Sequence, residues 1–252
     1  MVFNVSADSY ARFMGRYSEP LAVQFADLAG LERGRRVLDV GCGPGALTAQ
    51  LVQRVGTGWV AAIDPSAAFV AATRDRFPGL DVQRGLAEQL PFGDDSFDAA
   101  LAQLVVHFMA DPVTGLAEMG RVTRPGGVVA ACVWDHAGGA GPLATFWQAV
   151  HDLDPAVPDE SGLAGAREGH LAELAGAAGL RQVESGSLTV EIEFATFTSW
   201  WEPFTLGVGP AGSYITRLAD TQLEAVRDRC EQLLPPAPFR LPASAWTVTA
   251  RA

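Results

Sequence analysis

The stretch VLDVGCGPGALT, Val37 to Thr48, constrains the fold more than any other part of the chain. A short apolar run meets three glycines within five residues, Gly41, Gly43 and Gly45, and a helix-like pattern follows at once. Strand, stripped turn and helix in that order open a doubly wound α/β sheet, whose ligands lie in the crevice beyond the strands' carboxyl ends. The flanking pattern agrees. Val37–Val40, Trp59–Ile63, the residues around Val82, Phe97–Leu101 and Val128–Val133 read as buried strands, and Leu47–Val55, Ala67–Phe77 and Pro112–Val122 carry apolar residues at helical spacing. Past residue 135 the pattern loosens. Arg167–Ala178 reads as a helix closed by Gly179, LTVEIEF as a half-buried strand, Leu223 to Leu233 as a helix with one apolar face, and SAWTVTARA as a final strand. The chain is expected to form one domain over residues 1–252, with cap helices over 1–30, a binding core over 31–135 and an insertion over 195–240 before the last strand.

The glycine turn admits two kinds of nucleoside ligand. Gly41, Gly43 and Ala46 satisfy the dinucleotide pattern G-x-G-x-x-G/A. Asp39, two residues before Gly41, opposes it, because a carboxylate there faces an incoming pyrophosphate and suits a ligand with positive charge. Gly45 also comes one residue early, which makes the turn G-x-G-x-G. A second acid, Asp64, ends the next strand, nineteen residues after Gly45, where a carboxylate accepts both ribose hydroxyls. That device serves any adenosine cofactor; the plainer role for Asp64 is a turn or helix cap before PSAAFV.

Charge narrows the partners. Eighteen basic residues, all Arg, stand against twenty-nine acidic ones, for a net charge of -11. This balance argues against nucleic acid and against an anionic membrane surface, and the lack of Lys removes Schiff-base and P-loop lysine chemistry. Cys42, Cys132 and Cys230 are too scattered for a disulfide framework or a metal site. With no signal-peptide pattern and no long apolar span, the expected location is the cytoplasm.

Taken in order, VLDVGCGPG, AAIDPS, GLAEQLPFGDDSFDAALAQ and RVTRPGGVVAACVW resemble the class I S-adenosylmethionine-dependent methyltransferases, in the small-molecule branch that includes the ubiquinone and menaquinone methyltransferases. The resemblance spans roughly residues 10–135. It implies a Rossmann-like seven-stranded sheet with the last strand antiparallel, S-adenosyl-L-methionine as cofactor and S-adenosyl-L-homocysteine as product. It places Asp39, Gly41, Cys42 and Gly43 along the methionine part of the cofactor, Asp64 on the ribose, Leu86, Ala87 and Glu88 at the adenine edge, and Gln103 near the methionine end. The family often has Asp where this chain has Leu86, so one adenine hydrogen bond is missing here, while the Ala87 N–H remains available. Tyr10 and Arg16, in YARFMGRYS, match the family's covering helix and are placed over the methionine carboxylate; the alternative is a plain amphipathic helix. Arg121 reads as structural.

Methyl transfer from a sulfonium is an in-line displacement, so most of the task is positioning, and a base is needed only for a nucleophile that arrives protonated. His107 and His136 follow the fourth and fifth strands and are the candidate bases; packing histidines are the alternative. Trp134 shares the His136 loop. Trp200, Trp201 and Phe204, with Tyr214 beyond them, either roof a small-molecule substrate pocket or anchor the insertion to the sheet. Two other readings stay open: an NAD-dependent oxidoreductase, and a protein that binds the cofactor without transferring its methyl group. The acceptor and the oligomeric state are not fixed by the sequence.

Overall fold

A computed structural model describes residues 6–252; the first five residues of the expected 1–30 cap lie outside them. The chain enters through α1 (Ala7–Tyr10), a π-helical turn over Ala11–Gly15, and α2 (Arg16–Leu28), which buries Tyr17, Leu21, Ala22 and Phe25 along one stripe. Then come β1 (Val37–Val40), α3 (Ala46–Val55), β2 (Val60–Asp64), α4 (Ala67–Arg76), β3 (Asp81–Arg84), β4 (Phe97–Gln103), α5 (Pro112–Val122) and β5 (Thr123–Trp134). The remainder is α6 (Ala144–Leu153), α7 (His170–Ala177), β6 (Arg181–Phe194), three helices α8 (Phe197–Trp201), α9 (Gly209–Ile215) and α10 (Asp220–Leu233), and β7 (Phe239–Arg251).

The seven strands form one sheet in the order β3-β2-β1-β4-β5-β7-β6. β1 to β5 are parallel, and β7 runs antiparallel to both β5 and β6. Each central strand is buried on both sides, as a parallel sheet covered by helices requires. One face packs Leu51, Ala62, Leu101, Cys132 and Phe146 with Phe25 of α2; the other packs Leu38, Ile63, Ala100, Leu116 and Leu171. The strand order reverses between β1 and β4, so their carboxyl ends open the crevice in which the site sits.

Several boundaries differ from the sequence reading. Trp59 is not in a strand; it ends a single 3-10 turn, Thr57–Trp59, and is 49% exposed. The helix expected from Arg167 starts at His170, after Gly169. The last two strands begin earlier than expected because they pair with each other along nearly their whole length, from Phe194↔Phe239 to Arg181↔Arg251. The helical, aromatic insertion is present between them as α8 to α10.

Two glycines of the turn are there for steric reasons. Gly41 has φ 72°, and a Cβ on it would lie 2.4 Å from Cγ2 of Val105. Gly45, the early third glycine, is the left-handed N-cap of α3 at φ 89°, where a Cβ would lie 2.8 Å from the Phe77 ring. The spacing G-x-G-x-G therefore answers to the closeness of α4 to the turn.

Candidate functional site

The turn after β1 is held from below by β2. The N–H groups of Gly41 and Cys42 both donate to the Ile63 carbonyl, at 2.7 and 3.0 Å. Asp64, next in β2, accepts from Gly43 N–H at 2.9 Å on one oxygen and from Ser66 N–H at 2.8 Å on the other. Its carboxylate is thus fixed over the turn and also serves the local role of anchoring the entry to α4. Burial outweighs these two bonds and raises its pKa. Thr73 of α4 completes the clasp, donating its hydroxyl to the Gly43 carbonyl at 2.7 Å.

Asp39 is buried and points back into the fold, where it accepts from the Thr48 hydroxyl at 2.5 Å. Burial, reinforced by the charge of Asp64, pushes its carboxyl up to about 7 against that hydrogen bond. Gln103, at the end of β4, donates its amide nitrogen to the Ser18 carbonyl of α2 at 2.9 Å, and its buried amide oxygen has no partner among the described residues.

Two spaces flank this centre. The first is a cleft of about 330 Å³ running from Gly41 and Ile63 past Leu86, Ala87 and Glu88 to Val105, Phe108 and Met109. Leu86 stands at it with 52% of its surface exposed, a large apolar side chain left in the open, while Ala87 is buried. Glu88 is already engaged: it accepts from Ala110 N–H at 2.7 Å, which ties the loop after β3 to the loop before α5.

The second space is a chamber of about 30 Å³, room for a water or two. Its walls bring together Tyr10 from α1, Leu104 and His107 after β4, Trp134 and His136 at the end of β5, and Val208 to Ala211 at the start of α9. Glu160, from the loop between α6 and α7, lines it too. The Tyr10 ring packs edge-on against Phe69 with centroids 5.2 Å apart, and its hydroxyl pKa is raised by burial and, to a lesser degree, by the charge of Asp64.

The polar groups of the chamber are unusual for so buried a place. Nδ1 of His107, Nε2 of His136 and Nε1 of Trp134 are buried without a hydrogen-bond partner among the described residues. The two imidazoles lie 5.9 Å apart, centroid to centroid. Burial lowers both pKa values, His107 well below the usual histidine range and His136 to about 4, so both rings are neutral near pH 7. Glu160 accepts from the Trp147 indole at 2.6 Å, and burial raises its carboxyl to about 7.

Other residues singled out in the sequence stand elsewhere. Arg16 donates to the Ser199 carbonyl at 2.8 Å and lies 5.3 Å over the Phe194 ring, so it bolts α2 to the insertion. Trp200, Trp201 and Phe204 are buried in an aromatic cluster, with Phe204 stacked on Phe146 at 4.8 Å and meeting Phe13 at 5.2 Å. The part of the insertion that faces the chamber is Val208–Ala211. Arg121 binds Glu118, Asp94 and the carbonyls of Leu90 and Phe92. Glu160 was missed: it sits in the turn-rich stretch DPAVPDESG, and it is buried in the fold, where it accepts from Trp147. Among the described residues no group of three or more His, Cys, Asp or Glu could hold a metal ion, and no helix is long and apolar enough to cross a membrane.

Comparison with known proteins adds an independent line. Residues 38–131 match the family model described as "Methyltransferase domain". A demethylmenaquinone methyltransferase of Mycobacterium sp. (strain KMS) is 40% identical over 105 residues, which are 41% of this chain and 43% of that protein. The match thus spans less than half the length of that curated relative. A provisionally named methyltransferase from Bacillus halodurans C-125 shares the fold at TM-score 0.60 and 16% identity, over 91% of this chain and 97% of its own. Phosphoethanolamine N-methyltransferase 2 of Haemonchus contortus, in complex with S-adenosyl-L-methionine, does so at TM-score 0.59 and 16% identity, over 97% of this chain and 56% of its own.

Proposed function

We propose that this chain, whose residues 38–131 match a methyltransferase domain, is a class I S-adenosylmethionine-dependent methyltransferase that transfers a methyl group to a small-molecule acceptor. The observation that carries the reading is the position of Asp64, which is bonded to the glycine turn and whose chain neighbours Ile63 and Pro65 line an open, largely apolar cleft. Each of its oxygens accepts only one N–H bond, which leaves lone pairs for two ribose hydroxyls. Ile63, Leu86 and Val105 offer apolar walls to a flat base, and the exposure of Leu86 is explained once a ring covers it. The unpaired amide oxygen of Gln103 suits an ammonium donor at the methionine end. These residues fit S-adenosyl-L-methionine, and the antiparallel β7 inserted beside β5 departs from the all-parallel sheet of dinucleotide enzymes.

The cofactor, when bound, supplies an electrophilic methyl carbon on sulfonium. The task of the chain is then to bring an acceptor into line with it. The chamber meets that need by its apolar walls at Phe13, Met14 and Leu143. His107 and His136, being neutral, can each take a proton from an acceptor that arrives protonated. A chamber of this size favours a small molecule over a macromolecule, as does the net charge of -11. Calorimetry with S-adenosyl-L-homocysteine and with NADH tests the reading. Micromolar binding of the first and none of the second is expected; the reverse would sink it.

A further inference from the structure

The chamber has a polarity that names a class of acceptor. Nearly everything it offers is electron-rich. Tyr10, Phe13, Phe108 and Trp134 present aromatic rings, the two neutral imidazoles present ring nitrogens, and Glu160 presents a carboxyl oxygen beyond the one bonded to Trp147. Among the described residues no cationic side chain pairs with Glu160, and no Arg lines the chamber. Buried carboxylates ordinarily have a counter-charge, and aromatic faces attract cations most when water is excluded. Trp134 Nε1 is the wall side-chain atom among the unpartnered ones that can only donate.

We propose that the acceptor is a compact primary or secondary amine that enters as its ammonium ion, with Glu160 as the residue that selects it. This rests on the methyltransferase reading above. The ammonium donates to Glu160 and to the unpartnered nitrogens of His107 and His136, and the aromatic walls face its charge. Anionic acceptors are rejected, because the chamber holds a carboxyl and no basic side chain. A bound ammonium is no nucleophile. It passes one proton to the Glu160 carboxylate, the strongest base on that wall. The freed lone pair forms the N–C bond as the C–S bonding pair leaves with sulfur, and the product is the N-methylated ammonium. Burial, reinforced by the charge of Asp159, raises the Glu160 carboxyl to about 7 against the bond from Trp147.

Three probes small enough for the chamber separate the alternatives: methylamine, methanol and formate, titrated by tryptophan fluorescence at pH 8 into the full chain and into Glu160→Gln. In the unmodified protein methylamine is expected to bind at least about tenfold more tightly than methanol, and formate not at all. Glu160→Gln keeps an oxygen for Trp147 and should weaken methylamine about tenfold or more, in line with a lost hydrogen bond to a charged group, while methanol stays within about twofold. Methanol binding as well as methylamine overturns the proposal in favour of a hydroxyl acceptor. Formate binding, an unchanged methylamine affinity in Glu160→Gln, or no binding by any probe overturns it too. The ranking in the unmodified protein needs no variant, so the proposal remains refutable even if Glu160→Gln does not fold. None of these titrations contains cofactor, so their failure is distinct from a failure to bind S-adenosyl-L-homocysteine.

Discussion

Gly41 and Val105 should behave as one unit. In Gly41→Ala the new methyl meets the Val105 side chain at 2.4, 2.6 and 3.1 Å, at a residue whose φ of 72° is unfavourable for any side chain. The backbone share is about 1–2 kcal/mol, and forcing a methyl into occupied space adds about 1–3 kcal/mol. Gly41→Ala alone is therefore expected to cost about 2–5 kcal/mol. Val105→Ala removes two methyl groups from a half-buried site, at about 1–2 kcal/mol. In the double variant the methyl added at position 41 occupies space that the valine vacated, so only the backbone strain and the truncation remain, about 2–4 kcal/mol. Simple addition would give about 3–7 kcal/mol. Urea unfolding of the four proteins measures the difference, a coupling of about 1–3 kcal/mol in favour of the double variant. If the two costs add to within about 0.5 kcal/mol, Val105 does not set the shape of the turn and the steric argument for Gly41 is wrong.

Three further outcomes follow from the site. Asp64→Ala should weaken S-adenosyl-L-homocysteine by about 1.5–3 kcal/mol, the range for hydrogen bonds to a charged group; calorimetry reads this, and unchanged affinity would leave Asp64 as a turn residue only. The sequence alone suggests no loss of stability, but the bonds to Gly43 and Ser66 predict a lower unfolding midpoint as well. Asp39 is a carboxyl whose folded pKa is raised to about 7, so the folded state holds its proton more tightly than the unfolded state; its contribution is lost as pH rises from about 4 to about 7, and Asp39→Asn, which keeps an acceptor for Thr48, should abolish that part of the decline in urea titrations across this range. Trp201→Ala should lower stability by about 3–5 kcal/mol, as for a buried tryptophan, rather than raise the acceptor KM selectively; a selective KM effect at normal stability would restore Trp201 to the roof.

The first half of the molecule was legible because each of its signals is local. Strands buried on both faces read as apolar runs, and residues that follow them fall at the carboxyl edge by topology alone, which is why Asp64, Gln103, His107 and His136 could all be placed there. Direction around a helix was less legible. The pattern of α2 fixes which stripe is buried but not what an amphipathic arginine on its border will meet, and Arg16 met Ser199, far along the chain. Aromatic density was ambiguous for the same reason: Trp200 and Trp201 fill space between elements that the sequence does not position relative to one another. Glu160 gave no signal, since an acid in a polar, proline-containing loop is indistinguishable from a solvated one until Trp147 is placed above it.

The placement of β7 has a consequence for how the molecule is made. β6 joins the sheet only through β7, and α2 leans on β6, with Gln24 bonded to the Thr189 carbonyl at 3.0 Å. As the chain emerges from a ribosome, β1 to β5 can pair one after another with what has already appeared. β6 must wait, because the strand that seats it is translated after it and after the whole aromatic insertion. The parallel half of the sheet is thus available for most of synthesis, while α2 lacks the support of a seated β6 until the last strand arrives. A nascent chain stalled before Phe239 should expose Tyr17, Phe194 and their neighbours, and this is the interval in which a chaperone has most to cover.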